Sequence, residues 1–207
     1  YFKGADYLNA LTAFEQIITG FKLTEPYEHA LYLCAFCQYK LARFKNAASY
    51  GEKYLKEFPN SKYSVNALSL VGESYFNLAQ DYEAAYYLMK YYAQSEDSTG
   101  RQKAFERTLE ILPGLSLAAL DKLHRIFMAE DIDEHILYHL AQLEAKQGKK
   151  DEAERDFNLL LRRFPDTKYL YEADEYKRFL SLGQATGRAG ILLPLTGKFS
   201  DIGENML

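Results

Sequence analysis

The sequence predicts an all-α fold, a helical solenoid in which pairs of helices repeat along the chain. The clearest support is a sequence motif that occurs twice. Residues 58–63 (FPNSKY) and residues 164–169 (FPDTKY) are nearly identical and lie 106 residues apart. That offset is three periods of about 35 residues, close to the length of common helix–turn–helix repeats. Upstream, Ala47 and Ala153 precede the two prolines by the same twelve residues. Because the register extends beyond the copied motif, we interpret both segments as parts of one repeat array.

Three helix pairs are predicted from apolar residues at spacings of three and four, which place side chains on one helix face. In the first pair, the first helix carries Leu31, Cys34 and Ala35, and the second carries Phe44, Ala47 and Tyr50. In the next pair, the corresponding residues are Leu68, Val71, Gly72 and Tyr75, followed by Tyr82, Ala85 and Met89. In the last pair, they are Leu137, Leu140 and Ala141, followed by Gly148, Ala153 and Phe157. Gly72 takes a small-residue position where paired helices are expected to cross. Residues 7–21 predict one more second helix.

Residues 100–130 depart from this pattern. Pro113 and Gly114 interrupt the chain, and Ser116 is a typical N-cap for a helix that continues through Leu120 and Leu123 to Phe127. We therefore expect one degenerate repeat in this region.

These positions resemble the tetratricopeptide repeat family, in which small residues lie where paired helices cross and a proline follows the second helix. The resemblance covers residues 5–182, and we assign residues 1–183 to a tetratricopeptide-like repeat domain. It implies a scaffold that binds a protein partner and does not catalyse a reaction.

The C-terminal residues have a different character. Residues 184–188 predict a short linker, residues 189–195 (AGILLPL) a buried strand, and Thr196 with Gly197 a turn before a helix. We therefore expect residues 189–207 to be the truncated start of an α/β domain. Residues 190–199 (GILLPLTGKF) are similar to the start of type I periplasmic binding domains, which implies that Thr196 and Gly197 lie near a ligand cleft.

Helical repeats joined to such a domain resemble the penicillin-binding protein activators, outer-membrane lipoproteins that stimulate cell-wall synthases. The resemblance implies a periplasmic protein that is anchored to the outer membrane by a lipid outside these residues. Its partner would be a synthase of peptidoglycan. Two alternatives remain: a repeat lipoprotein of outer-membrane assembly or cell-division coordination, and a solute receptor whose ligand domain is missing here.

Composition argues against other kinds of partner. The formal net charge is −4, and lysines and arginines are scattered among acids, so the chain lacks the basic stripe that nucleic-acid binding requires. No apolar run approaches the roughly 20 residues that span a bilayer. We expect no nucleic-acid partner, and membrane attachment only through a lipid anchor.

Two pairs of residues have the spacing of a chemical site but are better explained structurally. Cys34 and Cys37 lie within a predicted helix, where Cys34 takes the position of a packed leucine. His135 and His139 share a helix face but lack a third ligand at matching spacing. No nucleophile elbow or phosphate loop is present. We therefore predict no catalytic residues, no metal and no cofactor.

The candidate partner site is the concave face that the register assigns to the first helix of each pair. In the earliest complete pair this face carries His29, Tyr32, Phe36, Tyr39 and Lys40, all on one side of the helix. Aromatic rings on such a face are good anchors for a peptide or helix. The face would continue through residues of the later pairs: Asn66, Glu73, Phe76, Asn77, His135, Tyr138 and Gln142. Alternatively, the rings pack between the helices themselves.

Overall fold

A computed structural model describes residues 6–21 and 25–185, and over these residues the chain is helical without a strand. The helices are α1 (Tyr7–Gly20), α2 (Glu25–Lys40), α3 (Phe44–Glu57), α4 (Ser64–Asn77), α5 (Asp81–Gln94), α6 (Ser98–Ile111), α7 (Leu117–Phe127), α8 (Asp133–Lys146), α9 (Lys150–Arg163) and α10 (Leu170–Ala185). A single 3₁₀ turn, Leu112–Gly114, follows α6. The predicted all-α, tetratricopeptide-like fold class is confirmed.

The three predicted helix pairs are α2 with α3, α4 with α5, and α8 with α9, and α1 is the additional second helix. In the region that departs from the pattern, Ser116 caps α7 as predicted, since its Oγ accepts a hydrogen bond from the amide of Ala119. Helix α10 extends to Ala185, two residues beyond Gly183. The predicted strand and turn at residues 189–207, including Thr196 and Gly197, lie outside the described residues.

The chain divides between Gly114 and Leu115 into two compact units. In the first unit each helix from α1 to α6 packs on the next, and α2 also packs against α4. In the second unit α7 to α10 pack in the same consecutive order. The division falls at the Pro113-Gly114 interruption of the sequence pattern.

The turn inside each regular helix pair uses the left-handed backbone region. Ala42, Ala79 and Gly148 have φ angles of 55°, 53° and 73°. Each residue lies two positions after the first helix ends and two before the second begins. The repeats therefore share a backbone conformation at the turn as well as the spacing of their apolar residues.

The core of the first unit depends on close helix crossings. Gly72 lies in α4, where an added Cβ would come within 2.9 Å of Leu88 Cγ and 3.0 Å of the Leu88 backbone nitrogen. Any side chain at this position would therefore push α4 away from α5. This confirms that Gly72 lies at a helix crossing.

A buried charge cluster joins three helices of the second unit. Asp133, at the start of α8, is fully buried, and its Oδ1 lies 2.8 Å from His124 Nδ1 of α7. Its Oδ2 accepts a hydrogen bond from Arg163 of α9. The hydrogen bond to Asp133 is the main cause of the raised pKa of His124. Both oxygens of the buried carboxylate are thus satisfied.

Candidate functional site

The first unit contains a groove of about 430 Å³ formed mainly by α2, α4 and α6, which we call the inner groove. Its lining residues are Tyr32, Phe36, Tyr39 and Lys40 of α2; Asn66, Ser69, Leu70 and Glu73 of α4; Tyr91 of α5; and Asp97, Gly100, Lys103 and Ala104 at the start of α6 and within it. The lining thus combines aromatic rings, small side chains and charges of both signs.

Six of the predicted partner-binding residues line this groove together: Tyr32, Phe36, Tyr39, Lys40, Asn66 and Glu73. His29 and Phe76 do not line it. The ring of His29 packs edge-on against Tyr63 with centroids 5.4 Å apart, and Arg107 covers the ring of Phe76 at 4.2 Å. Tyr138 belongs to the second unit, where it is buried and stacks on Tyr169 at 3.7 Å.

The aromatic wall of the groove comes from α2, and its rings are only partly covered. Tyr32 stacks on Tyr63 at 5.3 Å, Tyr39 meets Phe44 at 5.6 Å, and Lys40 lies 5.2 Å over Phe36. The rings therefore pack within the protein and still present half-buried surface to the groove. Such pre-positioned rings lose little conformational entropy when they contact a partner.

The phenol groups of this wall, those of Tyr32 and Tyr39, are neutral. Burial raises the pKa of Tyr32, and a side-chain hydrogen bond with Asn66 opposes that rise. The pKa of Tyr39 is also raised by burial, with a further contribution from the charge of Glu73. Both hydroxyl groups therefore remain protonated at neutral pH.

Glu73 is the most unusual residue of the groove, because it is a carboxylate that is only 7% exposed. Its Oε1 lies 3.1 Å from Lys103 Nζ and 3.1 Å from Arg107 Nε, both of α6. Its Oε2 is buried and has no hydrogen-bond partner among the residues that the structure describes. An unsatisfied buried acceptor costs about 1–3 kcal/mol, and more when it is charged, so this atom needs an explanation.

The end of α5 and the start of α6 contribute Tyr91, Asp97 and Gly100 to the lining of the groove. An added Cβ on Gly100 would come within 2.1 Å of the Tyr91 hydroxyl oxygen and 2.5 Å of Asp97 Oδ2. Asp97 caps α6 by accepting a hydrogen bond from the amide of Thr99. Glycine at position 100 therefore allows the end of α5 to approach α6.

Sequence reasoning did not assign any residue of α6 to the site. Lys103 and Arg107 are four residues apart, so they share one helix face, which is a signal that could have marked them as a pair. The sequence could not show that this face meets Glu73, because that pairing depends on how α6 packs in the unit.

The remaining candidate residues have structural surroundings. Cys34 and Cys37 are fully buried, and burial raises the pKa of their thiols to about 12 and about 11. The Nδ1 atom of His135 is hydrogen-bonded to the Tyr169 hydroxyl at 2.8 Å, and burial lowers the pKa of this histidine. Within residues 6–21 and 25–185, no three His, Cys, Asp or Glu side chains come together as a metal site.

Comparison with known proteins supports the repeat assignment. The family described as Tetratricopeptide repeat matches residues 29–61 and 136–167. These segments cover most of α2 with α3, and most of α8 with α9. Such repeats are generally scaffolds for protein–protein interaction and not enzymes. A search of curated proteins finds no match.

None of the described helices is both long and apolar enough to cross a membrane.

Proposed function

We propose that this chain is the helical part of a cell-envelope lipoprotein and that its inner groove holds a segment of a peptidoglycan synthase, which the protein activates. The observation that carries the proposal is the partly exposed aromatic wall of Tyr32, Phe36 and Tyr39 within one groove. Aromatic anchors in a preformed depression are typical of protein-binding hot spots.

The envelope location and the synthase rest on the sequence alone. They are supported by the resemblance of residues 190–199 to the start of a type I periplasmic binding domain and by the helical repeats that precede it. That combination distinguishes the synthase activators from lipoproteins built of repeats alone.

The first experiment is capture of partners from envelope extracts with the immobilised chain, followed by direct binding of purified peptidoglycan synthases. We expect a synthase to be retained and its glycan-polymerising activity to rise when the chain is added. Retention of outer-membrane assembly or cell-division proteins instead would favour the repeat-lipoprotein alternative. Failure of every synthase to bind would contradict the proposal.

The second experiment locates the site. With a confirmed partner, Tyr32→Ala or Tyr39→Ala should weaken binding by more than about 1 kcal/mol, the usual threshold for an anchor. Lys40→Ala should matter less, and mainly at low salt, because an exposed charge at the rim is screened. Calorimetric titration measures the affinities, and circular dichroism checks that each variant stays helical.

Tyr171→Ala is the matched control, since Tyr171 is 73% exposed and lies in α10 of the second unit. Its loss should leave binding unchanged. If the double variant Tyr32→Ala, Tyr39→Ala binds as tightly as the parent chain, the inner groove is not the partner site.

A further inference from the structure

Glu73 is the central polar residue of the inner groove, and both of its ion pairs are made by the same carboxylate oxygen, Oε1. Lys103 and Arg107 both hold Oε1, each at 3.1 Å, and so they fix the carboxylate. The second oxygen, Oε2, is buried, and no described residue forms a hydrogen bond with it, although Glu73 lines the groove. Glu73 therefore keeps one acceptor oxygen that no described group satisfies.

The surrounding charges decide which kind of donor fits. A ligand ammonium or guanidinium at Oε2 would lie close to Lys103 and Arg107 and would be repelled by both. A ligand carboxylate would face Oε2 itself, which offers no hydrogen to donate. A neutral N–H donor meets neither penalty.

Lys103 adds a second requirement. Its ammonium group lies beside the Glu73 carboxylate and its side chain is 58% exposed, so it keeps donors for a ligand. An acceptor and a donor next to each other match a group that presents an N–H and a C=O on the same edge. A primary carboxamide does so, whereas a trans main-chain peptide points its N–H and C=O in opposite directions.

We propose that the inner groove recognises the side-chain carboxamide of an Asn or Gln in the bound segment of the partner. The carboxamide N–H donates to Glu73 Oε2, and its carbonyl oxygen accepts from Lys103 Nζ. The inference rests on the proposed function in taking the groove as the partner site. The rings of the aromatic wall contact the side chains next to this residue.

Three small probes test the recognition without a partner: 3-phenylpropanamide, 3-phenylpropanoate and 3-phenylpropan-1-amine. They share a ring for the aromatic wall and differ only in the group offered to Glu73. Titrations followed by NMR, with the backbone amides of Gly100 and Ala104 as reporters, give the affinities. We expect the amide to bind about fivefold more tightly than either charged probe, the ratio that one hydrogen bond supplies.

Glu73→Gln is the most informative variant. Lys103 and Arg107 should hold the carbonyl oxygen of the new side chain, which leaves its NH₂ group where Oε2 was. The site then offers two donors, and the preference should shift from the amide to the carboxylate probe.

Lys103→Met removes the donor to the ligand carbonyl and leaves Glu73 paired with Arg107. We expect about fivefold weaker binding of the amide probe, the loss expected for one hydrogen bond. Lys45→Met, at an exposed position of α3 outside the groove, is the matched control and should change nothing. Lys103→Met keeps the test decisive if Glu73→Gln does not fold.

Equal affinity for the three probes, or shifts confined to residues outside the groove, would overturn the inference. So would an unchanged preference in folded Glu73→Gln. If a synthase requires Tyr32 and Tyr39 for binding but the probes show no preference for the amide, the carboxamide inference is wrong and the proposed function stands. If the probes show the amide preference but no synthase binds, the proposed function is wrong and the carboxamide site stands.

Discussion

Two buried carboxyl groups, Glu144 of α8 and Asp156 of α9, lie close enough to interact in the second unit. Burial is the largest cause of the raised pKa of Glu144, and the charge of Asp156 adds to it, so that the pKa reaches about 7. Arg155 Nε lies 3.0 Å from Asp156 Oδ1 and compensates one of the two charges. At pH values between 4.5 and about 7, Glu144 therefore holds a proton in the folded state that it would release in the unfolded chain.

The sign of the pH dependence follows from that proton. Well below pH 4.5 Glu144 is protonated in both the folded and the unfolded state, and its contribution to stability is then fully present. Between pH 4.5 and about 7 the folded state binds more protons than the unfolded state, so the free energy of unfolding falls as pH rises. Above that range the loss is complete.

Glu144→Gln should remove this loss, because the amide has a similar shape and no charge. We expect the variant to exceed the parent in stability at pH 8 by on the order of 2 kcal/mol, and by much less at pH 5. Urea unfolding at both pH values measures the difference. Glu106→Gln, an exposed change on α6, is the control and should show no such trend. A gain that is the same at both pH values would contradict the assignment.

Sequence could predict the surroundings of some residues but not of others. Cys34 was placed correctly in the core, because its position follows from helical spacing alone. Glu73 was placed on the partner face, but its pairing with Lys103 and Arg107 was not predicted. Tyr138 was assigned to the same face, whereas it is buried against Tyr169. Local spacing fixes a helix face, but contacts between distant segments decide what covers that face.

Among the elements, the crossing of α4 and α5 is the clearest test of the repeat register. Gly72→Leu should destabilise the chain by about 1–3 kcal/mol, since the new side chain must displace Leu88 and its backbone. Gly20→Leu is the matched control, because an added Cβ at Gly20 meets nothing within 4 Å. Thermal unfolding followed by circular dichroism measures both. An unchanged melting temperature for Gly72→Leu would show that the two helices do not cross at this residue.

The turns inside the helix pairs can be tested by two opposite substitutions, alanine to glycine in one turn and glycine to alanine in another. Ala79 has φ 53°, a conformation that is costly for residues with a Cβ, so Ala79→Gly should stabilise the first unit by about 0.5–1 kcal/mol. Gly148→Ala should destabilise the second unit by about 1 kcal/mol through the backbone alone, because its added Cβ meets nothing within 4 Å. Urea unfolding measures both changes. Effects of the same sign would contradict the shared turn conformation.

The elements that sequence predicted best are those with strong apolar spacing, such as α4 and α8. Helix α6 was not recognised as part of the array, because its apolar positions are sparse and its start carries Gly100 beside polar residues. Its small and charged side chains nevertheless form one wall of the inner groove. A helix whose exposed face serves a binding surface has a weaker amphipathic pattern, so sequence reasoning recognises it less readily.

For the whole molecule, we predict that folding requires neither a metal nor a disulfide. The chain has two cysteines, and both are free, fully buried thiols. Treatment with EDTA or with dithiothreitol should leave the helical circular dichroism unchanged. Loss of the signal in EDTA would require a metal site that the described residues do not supply. Loss in dithiothreitol would require a disulfide, which would contradict the free thiols of Cys34 and Cys37.

The proposed recognition surface and the packed surface lie on different faces of the same helix, α2. On α2 the groove positions Tyr32, Phe36 and Tyr39 alternate with the fully buried positions Leu31 and Cys34. Under the proposed function, substitutions among the groove residues change what the surface recognises, whereas substitutions among the buried residues change whether the helix packs. The proposed ligand preference could therefore drift during evolution, or be redesigned by exchanging one face of α2, while the buried face continues to specify the fold.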